Sequence, residues 1–272
     1  MAMISVDVGA AESHEYASGI TVGEVVVNVH GKTSGAVAAL VDGVECDFSH
    51  VIDSDCSVQP IAGASDEGLY ILRHSCAHLL AQAVTELFPD AKPTIGPPVE
   101  NGLYYDFHMD PLGDEELRAI EKKMSEHVRA NHALEREEHD NESLREMFAS
   151  NPFKLEIMDD NIGHDVGSSA YRQGDFVDLC RGPHVPSTSH LRWFRLTSTS
   201  QAYWRADSKR ESLVRIYGMC YHSKEALQNR VRQLEEAAKR DHKKIGKEME
   251  LYMIDELIGK GLPVWLPNGE TL

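Results

Sequence analysis

His74 and His78, in His74-Ser75-Cys76-Ala77-His78, are four residues apart, so any helix carrying them turns both imidazoles to one side, within reach of one metal ion or one water. A second cluster, Cys180-Arg181-Gly182-Pro183-His184, has a Gly-Pro turn at its centre that can fold Cys180 and His184 toward a common point. Alone, two histidines so spaced on a helix are more often incidental surface residues than a site. Together they offer three imidazoles and a thiol, the inventory of a zinc site or of a water-activating hydrolytic cluster. The first cluster is not a metalloprotease motif, because it lacks the glutamate that H-E-x-x-H uses as base. Five scattered cysteines, an odd number in a chain of 272 residues, point to reduced thiols rather than a disulfide scaffold.

These residues need elements to hold them. Leu72, Cys76, Leu79, Leu80, Ala83 and Leu87 recur at three- and four-residue steps, which predicts a helix from Glu67 to Phe88, capped by Asp66 and helped to stop by Pro89. His74 and His78 fall on a different face of that helix. Beyond it come a loop with Pro93, Gly96, Pro97 and Pro98, the aromatic run Leu103 to Phe107, and helices from Asp114 to about Arg136 and around Glu142 to Ser150. Strand and loop segments follow Asn151-Pro152 as far as Tyr221, and Ser223 can cap a long charged helix to about Lys247. Asp178, two residues before Cys180 and so on the same side of a strand, can orient an imidazole. In the first 62 residues, short alternating runs, an Asp42-Gly43 hairpin signal and a Thr21-to-Glu24 capping box describe strands around one short helix, a β-grasp pattern. The class is α+β.

The net charge of −17 discourages a nucleic-acid reading until its distribution is considered. Residues 1–60 hold nine acidic and one basic residue, whereas 171–247 hold 16 basic and eight acidic, with Trp193, Phe194, Tyr203 and Trp204 among the arginines. That block suits a polyanion contacted by cations and stacking rings, and suits equally a solvated face with aromatic residues in its core. No segment has the roughly 18–20 apolar residues of a membrane span, and the start lacks a secretory signal, which predicts a cytoplasmic protein without a membrane partner.

Tyr104-Tyr105-Asp106-Phe107, the run from Tyr171 through Gln173, Asp178 and Cys180 to His184, and Tyr203-Trp204-Arg205-Ala206-Asp207-Ser208 closely resemble the amino-terminal half of bacterial threonyl-tRNA synthetases. The resemblance implies a TGS-type β-grasp domain at 1–62, an editing domain shared in outline with alanyl-tRNA synthetases at 63–222, a linker helix at 223–247, and at 248–272 the start of a class II catalytic domain. It departs at Cys76, where relatives often have alanine, and at Pro98, where an aliphatic residue is usual. It further implies hydrolysis of serine mischarged onto threonine tRNA, with His74, His78, Cys180 and His184 around the ester, Lys154 near the terminal ribose, and Tyr104 and Gln173 as candidate pocket walls. Lys154 has the alternative of an exposed residue opening a strand, and Tyr104 that of packing.

ATP and the threonine-selecting zinc belong, by the same resemblance, to a catalytic core beyond Leu272, so the chain is expected not to make threonyl-tRNA. Editing is expected to proceed without metal, although zinc on the His/Cys set is possible chemistry. The fragment is expected to be a monomer, the full-length family members homodimers. Two other classes fit the same residues: a zinc hydrolase unrelated to tRNA, and a tRNA-binding module without activity.

Overall fold

The structure is a computed structural model that describes residues 2–9, 13–31, 35–160, 169–240, 242–254 and 262–270. The chain forms two compact units, Met1–Lys224 and Glu225–Leu272.

The first unit opens with β1 (Met3–Asp7), β2 (Ser13–Ala17), β3 (Ile20–Thr21), α1 (Val22–His30), β4 (Ala36–Val41), β5 (Val44–Cys46), β6 (Val51–Ile52) and β7 (Cys56–Ala62). Five of the strands form a sheet in the order β2-β1-β7-β4-β5, with β1 and β7 parallel and the other pairs antiparallel. The capping box forms as expected: Glu24 N–H donates to Thr21 Oγ1 at 3.3 Å, and Thr21 N–H donates to Glu24 Oε2 at 2.9 Å. It launches α1 so that Val22, Val25 and Val26 pack against Val6, Ala39, Ile52 and Val58. Asp42 and Gly43 both take positive φ (49° and 83°), the backbone of a two-residue hairpin turn joining β4 to β5. Strand β2 escaped the sequence reading because Ser13-His14-Glu15-Tyr16-Ala17 lies on the sheet edge and has no buried position to show the alternation.

Helix α2 (Asp66–Leu87) then crosses the middle of the unit. Its N-cap is Ser65, not Asp66: the Ser65 hydroxyl accepts from Gly68 N–H at 3.1 Å. The predicted stripe is buried except Leu87, which lies at the helix end and is 39% exposed. Burial extends well past the stripe, to Ser75, Ala77, His78, Ala81 and Gln82, so α2 is enclosed on nearly every side. One wall is the antiparallel sheet of β8 (Lys92–Pro93), β9 (Pro98–Val99), β10 (Gly102–His108), β14 (Trp193–Tyr203) and β15 (Ser212–Tyr221), in the order β14-β15-β10-β8 with β9 on β10. Another is α3 (Asp114–Ala130), which ends earlier than the sequence suggested because Asn131 adopts a left-handed cap, φ 56°.

Residues to Arg136 therefore continue not as helix but as β11 (Leu134–Glu138), the edge of a three-stranded sheet with β12 (Ser169–Gln173) and β13 (Phe176–Leu179). Between β11 and β12 lie α4 (Asn141–Met147) and α5 (Pro152–Asp160), the latter in a segment read from sequence as strand and loop. In the second unit, α6 (Lys224–Lys239) and α7 (His242–Glu248) divide the long charged helix expected there, and β16 (Tyr252–Ile254) pairs with β17 (Pro263–Trp265). Among the described residues no helix is long and apolar enough to cross a membrane.

Leu79 is wholly buried in the cluster that joins α2 to the sheet. Leu79→Ala is expected to lower the unfolding free energy of the first unit by about 2–5 kcal/mol, read from the shift in urea midpoint at unchanged slope.

Candidate active site

The two clusters singled out in the sequence meet. His74 and His78 stand one turn apart on α2 with ring centroids 5.4 Å apart, and the His184 ring packs against both, at 4.4 and 4.3 Å. Cys180 follows the end of β13 and places Sγ 3.2 Å from His74 Nε2 and 3.2 Å from His184 Nε2. Gly182 makes this return possible: it has φ 72°, and a Cβ there would sit 1.9 Å from the Tyr171 hydroxyl.

The partners assign the protons. The Pro183 carbonyl accepts from the His74 ring, which leaves Nε2, the nitrogen facing Cys180, as an acceptor for the thiol. The thiol has one proton to give, so His184 Nε2–H donates to Sγ, and His184 Nδ1 accepts from the Ser75 hydroxyl at 2.9 Å. Ser75 Oγ in turn accepts from Val185 N–H at 3.1 Å. Burial pushes His74 down to about 4 and His78 down to about 3, and holds His184 well below the ordinary imidazole range. Burial also pushes Cys180 up to about 12. Near neutral pH the cluster is three neutral imidazoles and a protonated thiol.

A cavity of about 240 Å³ opens beside this cluster, walled by His74, His78, Cys180, Asp178, Lys154 and Tyr105, with Gly96 and Pro97 from the loop opposite. Lys154 does not open a strand. It lies in the first turn of α5, where Asn151 Oδ1 accepts from Phe153 and Lys154 N–H and Asn151 Nδ2 is tied to the Pro93 carbonyl at 2.8 Å. Its ammonium lies 2.6 Å from Asp178 Oδ1, both side chains buried, and donates to Tyr105 Oη at 3.1 Å. Tyr105 donates to Asp178 Oδ2 at 2.6 Å and closes the triangle. Burial alone would raise Asp178, but the Lys154 charge and the hydrogen bonds it accepts bring its carboxyl below the usual range.

The remaining sequence candidates fall elsewhere. His184 is 1% exposed and stands behind His74 and Cys180 rather than on the cavity wall. Tyr104 points to the other side of β10, where the Arg215 guanidinium lies 3.9 Å over its ring. Gln173 is buried against α2, donating to Gln82 Oε1 at 2.5 Å, away from the cavity. Sequence reasoning passed over Tyr105, although strand alternation in Tyr104-Tyr105-Asp106-Phe107 puts Tyr105 and Phe107 on one face, where their rings stack at 4.9 Å. Of the interleaved aromatic residues, Trp204 is a core residue, edge-on to Phe153 at 5.2 Å.

Comparison with known proteins places these residues in a lineage. Residues 169–217 match the family model described as the threonyl and alanyl tRNA synthetase second additional domain. The whole chain aligns with threonine–tRNA ligases: 42% identity with that of Staphylococcus carnosus, over 100% of this chain and 42% of the relative. The chain is homologous to bacterial threonine–tRNA ligases. The relative from Streptococcus thermophilus is 40% identical over 99% of the chain and 42% of its own length, and that from Pelobacter propionicus 41% over 100% and 43%. The chain thus spans a little over two fifths of the length of these curated relatives. The matched second additional domain contains Cys180 and His184, and α2 brings His74 and His78 to it from outside the matched stretch.

Two expectations follow. Lys154→Met strands the Asp178 carboxylate without its ammonium, and urea unfolding should show a loss of about 3–5 kcal/mol, part of it regained when Asp178→Asn is added. In the unfolded chain histidines protonate near 6.5, whereas His74 and His78 in the fold protonate only near 4 and 3. The unfolded state therefore takes up protons first as pH falls, so this stability is full above about pH 6.5 and is lost progressively below it. The urea midpoint should drop between pH 7 and 5, and His78→Asn should flatten that drop by about one proton.

Proposed function

We propose that the chain is the proofreading part of a threonyl-tRNA synthetase, hydrolysing the ester of serine mischarged onto threonine tRNA. The observation that carries this reading is the cavity in which His74, His78 and Cys180 face the buried Lys154–Asp178 pair, next to the stretch that matches the second additional domain. A synthesis site selecting threonine cannot reject serine strongly, since one methyl is worth only about 1–3 kcal/mol, so a second site must remove the wrong product. A cavity sized for the seryl group excludes threonine by overlap of that methyl.

In this reading the His78 imidazole accepts a hydrogen bond from the attacking water and orients it, beside a His74 ring whose Nε2 already accepts from the Cys180 thiol. The Lys154 ammonium stabilises the negative charge that develops on the ester oxygen. Cys180 and His184 fix His74, and Asp178 holds Lys154 in place. Residues 1–62 are read as a TGS-like β-grasp domain, 63–222 as the editing domain, 223–247 as a linker and 248–272 as the start of the synthesis domain.

A second reading has its own support: the donor atoms of His74, His78, Cys180 and His184 all lie within 4.8 Å of one another, an arrangement that fits a tetrahedral zinc ion. Held by all four donors, zinc would be structural; held by three of them, it would keep a fourth position where it could act as a Lewis acid or acidify a water.

The test is deacylation of serine-charged against threonine-charged threonine tRNA by the chain, with His74→Ala, Cys180→Ala and a chelator arm. The expected outcome is loss of serine only, at a rate reduced at least about tenfold by either substitution and indifferent to chelator. Loss of activity in chelator, restored by zinc, would transfer the chemistry to the metal reading. Binding of tRNA with neither ester cleaved would falsify the hydrolytic proposal and leave a tRNA-binding module, whose affinity must fall steeply with salt.

A further inference from the structure

Asp47 lies just past β5, in the first 62 residues, yet the residue is only 8% exposed because it is inserted beside the His/Cys cluster. Oδ1 accepts from the His184 backbone N–H at 2.7 Å, and Oδ2 accepts from the Tyr171 hydroxyl at 2.5 Å. The Tyr171 ring stands edge-on to the His184 imidazole at 4.4 Å. The Tyr171 hydroxyl also occupies the space that a side chain at position 182 would take. Asp47 therefore touches both ends of the support behind Cys180, while neither it nor Tyr171 nor His184 lines the cavity. Burial pushes the Asp47 carboxyl up, and these two hydrogen bonds oppose that push.

We propose that Asp47 is a positioning residue of the hydrolytic site, supplied by the amino-terminal sheet module: it fixes Tyr171 and the His184 backbone, and through the His184 ring it sets Cys180 Sγ and His74 Nε2. The proposal rests on the hydrolytic reading above and adds to it a role for the first module, which completes the site from behind. Hydrogen bonds to a carboxylate are among the stronger ones and act here where water does not compete, so their loss should be felt in geometry as well as in stability.

The experiment uses the whole chain with Asp47→Asn, Asp47→Ala and Tyr171→Phe, each assayed on serine-charged threonine tRNA at a temperature where its own melting curve shows it fully folded. Hydrogen exchange of the His184 amide is followed in parallel. A role in positioning predicts that Asp47→Ala lowers kcat about tenfold with KM within about twofold of the parent, and speeds exchange of the His184 amide. Asp47→Asn, which keeps an oxygen for that amide, should restore part of the rate and of the protection, and Tyr171→Phe should lower kcat by less than Asp47→Ala. A folded Asp47→Ala protein with unchanged kcat overturns the proposal, as does a loss that is equal in the Asn and Ala variants. If the parent chain cleaves no ester, the hydrolytic reading is what fails; Asp47 as an anchor is then judged on exchange alone, and unchanged protection of the His184 amide in Asp47→Ala overturns it.

Discussion

Four hydrogen-bonding side chains, His74, His78, Cys180 and His184, are packed within 4.8 Å of one another where water is largely excluded. None of them can hold a charge cheaply there, and the downward shifts of the imidazoles and the upward shift of the thiol express that constraint. Their protons must then be shared in one direction, from Ser75 to His184, from His184 to Cys180, from Cys180 to His74, and from His74 to the Pro183 carbonyl. A chain of this kind works only if every member stays within hydrogen-bond reach. Helix α2 supplies two of its members, His74 and Ser75, on one rigid element, and its enclosure on nearly every side is what keeps those positions fixed.

What could be read in the sequence was what depends on local geometry. The i, i+4 spacing of His74 and His78, the Gly-Pro turn between Cys180 and His184, the Thr21 capping box and the Asp42-Gly43 turn each need only a few neighbouring residues, and each appears as read. What was misread depends on contacts distant in sequence. Pro152 after Asn151 looks like a stop, but Asn151 is anchored to the Pro93 carbonyl 58 residues away, caps α5 and so aims Lys154 inward. Gln173 looked like a pocket residue and is instead held by Gln82, and Tyr104 took the attention owed to Tyr105 because period-two alternation does not reveal which face is the inner one. Asp47 carries no signal in the sequence at all, since its partners lie 124 and 137 residues away.

Charge patterning was legible in sign and not in use. The basic block of residues 171–247 suggested a surface for a polyanion, yet Arg172 pairs with Glu137, Arg205 and Arg210 with Glu156, and Arg215 bidentately with Asp106. Each acidic partner precedes the basic block in the chain, so a good part of the apparent sign reversal along the sequence is internal neutralisation between β10, β11, α5 and the later strands. Any tRNA contact through this region rests on the cations outside those pairs, and a count of arginines overstates it.

The same constraint divides labour inside the cavity. An imidazole shifted to about 3 is a weak base, so in the proposed reaction His78 suits the orientation of a water better than full removal of its proton at neutral pH. The positive charge that the proposed ester hydrolysis would need is offered by Lys154, and a buried ammonium is tolerable only beside Asp178 and Tyr105. The carboxylate that holds this ammonium also favours positive charge on His78, so in the proposed reaction a proton passing from water to that ring would meet an opposing charge already in place. In that proposal Asp178 serves the cation that is always present and the one that would form only transiently. The two demands coincide because the ion pair and the imidazoles line one cavity, with Tyr105 held against Gly96, where a Cβ would come within 2.1 Å of its ring.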